Sequence, residues 1–152
     1  MPIVIDGAAG LQEYAGKTLG QTEWTEMTFS TIQAFADATG DHQWIHVDRE
    51  RIAAESPFGA PIAHGYLTLS LVAGEFMKLL ELVNFKLVVN YGCNKVRFPN
   101  PLKEGMRWRL NLALGEVTQK RDWWEGIFHA AIEIEGETKP AVVAEVVYRF
   151  LP

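Results

Sequence analysis

From Gly65 to Val83 the chain reads as a helix with apolar side chains on almost every face. Leu67, Leu69, Leu71, Val72, Phe76, Leu79, Leu80 and Val83 surround it, and Glu75, Lys78 and Glu81 leave one polar, wet stripe. A helix of that kind has to be buried. The three charges also interrupt the run too often for a membrane span. The chain beyond Val83 can do the burying. The stretches 85–91, 94–98, 106–117, 124–135 and 142–150 all suit strands, and Met106, Trp108, Leu110, Leu112 and Leu114 alternate onto one face. Pro99-Asn100-Pro101, Gly105, Lys120-Arg121-Asp122 and Gly136-Glu137 suit turns between them. The order is helices first and an antiparallel meander after. The expected class is α+β, a buried helix against one curved sheet, in one domain spanning residues 1–152.

The N-terminal part is denser in polar signals. A short helix is expected near Leu11 to Ala15 and a strand within Gln21 to Thr28. Ser30-Thr31-Ile32-Gln33 matches a capping box, with Ser30 as cap and Gln33 reaching back. Ile32, Phe35 and Ala36 give the next helix an apolar face, and Gly40 stands where a left-handed glycine would end it. Asp48 suits the cap of a second short helix, 49–55, broken by Ser56-Pro57-Phe58-Gly59-Ala60-Pro61.

Between those helices lies Asp41-His42-Gln43-Trp44-Ile45-His46. A carboxylate and an imidazole five residues apart can hold a water and pass its protons near neutral pH. Trp44 and Ile45 favour burial, which is unusual in a solvated loop. Two readings stand on chemistry alone: a proton-transfer site, or an aspartate capping local amides beside a satisfied core histidine. His42 and His46 have the spacing of a zinc-binding helix, but Gln43 stands where a zinc hydrolase needs Glu, so no metal is expected and His42 reads as an exposed loop residue. Gly65 at a helix start leaves amides free and lets a ligand approach closely. His64 reads as structural more than catalytic. Lys95 and Arg97 lie two apart, on one face of a strand, to pair with sheet carboxylates or to meet a ligand phosphate.

The net charge of −5 argues against a general nucleic-acid binder, so an anionic ligand would need a local basic patch such as Lys95, Arg97, Lys103, Arg107 and Arg109. The single cysteine, Cys93, allows no intrachain disulfide and reads as a small strand residue in a reducing cytoplasm. Residues 1–10 lack the pattern of a secretory signal.

The run Phe35 to Asp48 resembles the hydratase motif of MaoC-like dehydratases, keeping Thr39-Gly40-Asp41, Ile45-His46 and Asp48. Gln43-Trp44 replaces the usual Asn-Pro, as in the nodulation-protein-N-like subgroup. Ile62-Ala63-His64-Gly65-Tyr66 with Leu69 is similar to the family's second signature, and Asn94 to Pro99 with Pro101 and Gly105 to its third. The resemblance implies a hotdog fold, a homodimer joined edge to edge, and (R)-specific hydration of trans-2-enoyl-CoA or the reverse dehydration. It implies no cofactor, coenzyme A being part of the substrate. Asp41 and His46 would hold the water, with Asp41 favoured as the activating base, and the Gly65 amide would receive the enolate charge. Gln43, Trp44, Ala63, His64, Lys95 and Arg97 are the candidates for substrate contact, Trp44 as a narrowing of the acyl channel. Two other functions fit the same features: a hotdog thioesterase, and a protein that binds acyl-CoA without turnover.

Overall fold

The computed structural model describes residues 1–152. The long helix, α5 (Gly65–Leu79), packs across three long strands, β6 (Arg107–Lys120), β7 (Trp123–Ile134) and β8 (Val142–Leu151). These strands alternate as period two demands. Trp108, Leu110, Leu112 and Leu114 turn inward on β6, Phe128, Ala130, Ile132 and Ile134 on β7, and Val142, Ala144 and Val146 on β8. With Phe76 of α5 they form one core, in which the Phe76 ring stacks on Tyr148 at 4.5 Å and meets Phe128 edge-on at 4.9 Å. Met106, expected on the same face, is only half-buried because it precedes the strand. This is the α+β architecture of a curved antiparallel sheet around one helix.

The sheet order departs from a simple meander. β6, β7 and β8 follow one another, but β5 (Leu87–Arg97) lies beyond β8 as an edge and β2 (Thr18–Gln21) borders β6, giving β2-β6-β7-β8-β5. β5 also joins the two strands expected at 85–91 and 94–98, with irregular register at Asn90/Gly92 and Cys93/Val96. The strand expected within Gln21 to Thr28 shrinks to the two residues of β3 (Thr25–Glu26), paired with β6 as β2 is before it. Helix α5 stops at Leu79. Leu80–Val83 becomes β4, because β1 (Ile3–Asp6) pairs with it in parallel, Ile3 opposite Leu80 and Asp6 opposite Val83. Helix α1 (Gly7–Tyr14) holds the short helix expected there.

The polar stripe of α5 is not wet throughout. Glu75 is buried and bonded to Lys78 Nζ at 2.5 Å, and Lys78 carries the exposure. Helix α2 (Phe29–Thr39) is capped by Thr28, not Ser30: the Thr28 hydroxyl accepts from Thr31 N at 3.2 Å. Gln33, instead of reaching back, donates to Asp37. Cys93 is exposed on the edge strand. No helix is long and apolar enough to cross a membrane.

Candidate active site

Helix α2 ends as its sequence requires. Gly40 takes φ +79 and its amide returns to Ala36 O at 2.8 Å. The chain then turns through Asp41, whose carboxylate accepts from Gln43 N at 3.3 Å, into a single helical turn, α3 (Trp44–Val47). Asp48 caps α4 (Arg49–Glu55) by accepting from Arg51 N at 3.0 Å. This geometry throws His46 inward and His42 outward. His42 is exposed and pairs with Asp37 at 2.9 Å, so the two imidazoles diverge and make no zinc pair.

His46 is buried, and its Nδ1–H donates to Ile62 O at 2.6 Å. That bond leaves the Nε2 lone pair as the ring's free basic position. Burial holds the His46 imidazole below its ordinary value, with the Ile62 carbonyl opposing, His64 adding to the depression and Asp41 opposing it. Ile62 is itself strapped in place. Its amide donates to Ile45 O at 3.3 Å, and next to it Ala63 N donates to Leu102 O at 2.7 Å and Glu104 N to Pro61 O at 2.8 Å. Three chain segments, 41–46, 61–65 and 98–104, are thereby drawn into one place.

Helix α5 begins at the end of that strap. His64 is its N-cap residue but offers it no side-chain cap, so the first amides, Gly65 foremost, have no intrahelical partner. The Phe98 ring lies directly over Gly65, where a Cβ would come within 3.2 Å of it. A cavity of 390 Å³ opens here, holding His46 and Gly65 among apolar Ile45, Phe58, Phe98 and Leu102. Ala63 and Thr68 also line it, Thr68 donating its hydroxyl to Gly65 O at 2.6 Å. Asp41 is exposed and is not among the lining residues, but its carboxylate lies within 4.8 Å of ring nitrogens of His46 and His64. Those three residues could be taken for metal ligands. However, the two rings are stacked at 3.8 Å and 22°, so their in-plane lone pairs run side by side and do not converge. The arrangement suits proton transfer beside an unsatisfied helix N-terminus.

The other candidates are placed elsewhere. Trp44 is covered by the Arg51 guanidinium at 4.3 Å, and neither it nor Gln43 is among the residues that line the cavity. His64 sits behind His46, not against the cavity. Lys95 and Arg97 face a separate, larger groove of 550 Å³ on the outer face of the sheet, with Lys95 3.4 Å from Glu145. Of Lys103, Arg107 and Arg109, the two arginines are bound to Glu135 and Glu133. The groove is the bigger hollow, but neither Asp41 nor His46 lines it. Phe58, Phe98 and Leu102 are walls for which no site role was expected; Phe58 lies inside a Pro/Gly breaker, Phe98 at the end of an expected strand and Leu102 just after an expected turn.

Comparison with known proteins shows the family and the fold. A sequence profile of the MaoC like domain matches residues 11–132. The chain is 44% identical over 150 residues to 3-hydroxyacyl-thioester dehydratase Z of Mycobacterium tuberculosis, covering 96% of this chain and 97% of that protein. It is 43% identical over 131 residues to Nodulation protein N of Rhizobium leguminosarum bv. viciae, covering 85% of this chain and 81% of that one. The solved (R)-hydratase from A. caviae involved in PHA biosynthesis superposes with a TM-score of 0.69 at 22% identity, over 88% of this chain and 96% of that one, which establishes the shared hotdog fold. The chain belongs to the MaoC-like dehydratase family.

Proposed function

We propose that this protein adds water to a trans-2-enoyl thioester to give the (3R)-hydroxyacyl thioester, and catalyses the reverse dehydration. The observation that carries the reading is that His46 and the Gly65 helix start line one apolar cavity, with the Asp41 carboxylate within 4.8 Å of a His46 ring nitrogen. The similarity to a 3-hydroxyacyl-thioester dehydratase supports it. With Nδ1 tied to Ile62, His46 is the group prepared to accept a proton, which shifts the role of base from Asp41 to His46. Water bound between them loses one proton to Nε2 as its oxygen attacks C3. Asp41 orients it by accepting the second hydrogen. Charge moves to the thioester oxygen, where the Gly65 amide and helix end receive it. Nε2 then returns its proton to C2, and the enzyme is restored with one water added across the double bond. No separate cofactor enters this scheme.

Coenzyme A is the expected carrier. Arg97 forms no ion pair, whereas Lys95 is engaged by Glu145, so Arg97 is the better placed of the two for a phosphate. The free edge of β5, with Leu87 and Tyr91 exposed on it, supports an edge-to-edge homodimer.

The test is loss of enoyl absorbance with crotonyl-CoA and longer enoyl-CoA substrates, with chiral analysis of the product. Asp41→Asn and His46→Gln should each lower kcat about 100- to 10,000-fold with an unchanged melting temperature. Wild-type rates in both variants would overturn the mechanism. Release of free thiol in place of hydration would establish the thioesterase, and binding without turnover the carrier protein.

A further inference from the structure

We propose that His64 is a positioning residue: through its ring face and its Nε2–H it fixes the spacing between His46 and Asp41. The inference rests on the hydratase reading above. His64 is 2% exposed, and its Nε2 lies 2.9 Å from the main-chain carbonyl of Asp41. A carbonyl only accepts, so the ring carries its hydrogen on Nε2 and donates it. The other nitrogen, Nδ1, is buried and has no partner. A buried nitrogen left unpaired is destabilising. Stability alone would be better served by an apolar ring there, between Phe35 at 5.0 Å and His46 at 3.8 Å. The histidine is therefore explained by what its Nε2–H holds.

The Asp41 segment is otherwise loosely held. Asp41 has two further hydrogen bonds, its amide to the Thr39 hydroxyl at 3.4 Å and its carboxylate to Gln43 N at 3.3 Å. Both lie within the loop and both are long. The His64 bond is the shortest of the three and spans 23 residues to reach a different element. Two residues before His64, Ile62 O fixes the orientation of the His46 ring. One residue after it, Gly65 begins α5. The segment 62–65 thus sets the directions of both proton-handling groups and of the oxyanion donor, and His64 is its only side-chain link to Asp41. A shift of tenths of an ångström in Asp41 would displace the water that both groups must share.

Two variants separate the functions of the ring. His64→Phe keeps a flat ring against His46 and removes the donor. His64→Gln keeps an N–H at a similar reach and removes the ring. His64→Phe should fold with a melting temperature at or above that of His64→Gln, yet lose about tenfold or more in kcat with KM little changed, as expected for loss of one hydrogen bond of roughly 1.4 kcal/mol. His64→Gln should recover most of that kcat. Equal loss in the two variants, or wild-type kcat in His64→Phe, overturns the proposal, because a merely structural ring would be better replaced by Phe. Backbone 15N relaxation of residues 41–43 gives a second readout independent of turnover. Their order should fall in His64→Phe and stay near wild type in His64→Gln. If the wild type turned over no enoyl thioester the hydratase reading would fail, and unchanged relaxation in His64→Phe would separately show that His64 does not hold the loop.

Discussion

Gly65→Ala is the most direct probe of the oxyanion site, because the structure separates its effect on folding from its effect on chemistry. Gly65 does not have a left-handed φ, so alanine suits the backbone. The new Cβ would lie 3.2 Å from Cγ of Phe98 and 3.3 Å from both its Cδ atoms. Phe98 is 45% exposed, and its ring can withdraw by the few tenths of an ångström required. Replacing glycine also removes conformational freedom from the unfolded chain, a gain of about 0.4–1 kcal/mol. The two terms nearly cancel, so the melting temperature should move by no more than about 4 °C. Activity should not escape. The methyl group enters the cavity beside the amide, where the thioester oxygen must come within about 3 Å of the N–H. Loss of one oxyanion donor costs about 2.7–4 kcal/mol, and the expected fall in kcat is on the order of 100-fold. The assay is initial rate on enoyl-CoA with thermal melting of the same preparation. A kcat within about twofold of wild type would refute the oxyanion role of Gly65. If melting drops by more than about 10 °C, the ring has not yielded. Gly65→Ala/Phe98→Leu should then restore melting but not kcat.

Acidification should act through His46. Its imidazole is held below the ordinary value by burial, so kcat/KM should stay level as pH falls through about 6.5 and decline only below that, measured across a pH series with His46→Gln lacking the decline. The same depression affects folding. The unfolded chain takes up the proton near pH 6.5 and the native state does not, so stability should fall as pH drops through that value and level off below the native one, read from denaturant midpoints. Phe128 is fully buried against Phe76, Tyr148 and Phe150, and Phe128→Ala should cost about 3–5 kcal/mol in chemical denaturation. Thr28→Ala should cost about 1 kcal/mol as a lost cap, while Ser30→Ala should stay within about 0.5 kcal/mol.

The parts of the fold visible in the sequence are those whose signal is periodic. Residues 106–114 alternate because one face of β6 is buried and the other is not, and α5 shows its core face through Leu67, Val72 and Phe76, although Tyr66, Ala73 and Met77 on its other side are exposed. The transition at Leu79-Leu80 has no such mark. Both residues are leucine, and the change from helix to strand is made by Ile3 and its neighbours, some 77 positions away along the chain. The place of β5 beyond β8 is likewise decided by pairing and not by its own residues. Glu75 and Lys78 gave the pattern of a wet stripe, yet the ion pair lets the lysine reach solvent while the carboxylate stays inside. The cap at Thr28 was obscured by a better-looking box two residues later, because Ser30 and Gln33 fit the pattern while lying inside the helix.

The site divides along the same line. Asp41 and His46 are legible because one loop carries both, and Gly65 because a glycine opening an apolar helix is chemically conspicuous. The role of Trp44 was not legible, since its partner Arg51 belongs to the next helix. The walls Phe58, Phe98 and Leu102 come from two distant segments and look like breaker, strand-end and post-turn residues where they occur. The groups that orient the chemistry leave even less trace. His46 is aimed by the carbonyl of Ile62, and Asp41 is held through its own carbonyl by His64. Every residue has a carbonyl, so nothing in the side chain of Ile62 announces an acceptor. What the sequence can show is the donor at the other end. His64, buried where an apolar ring would serve packing better, is the one side chain from which that backbone acceptor could have been sought.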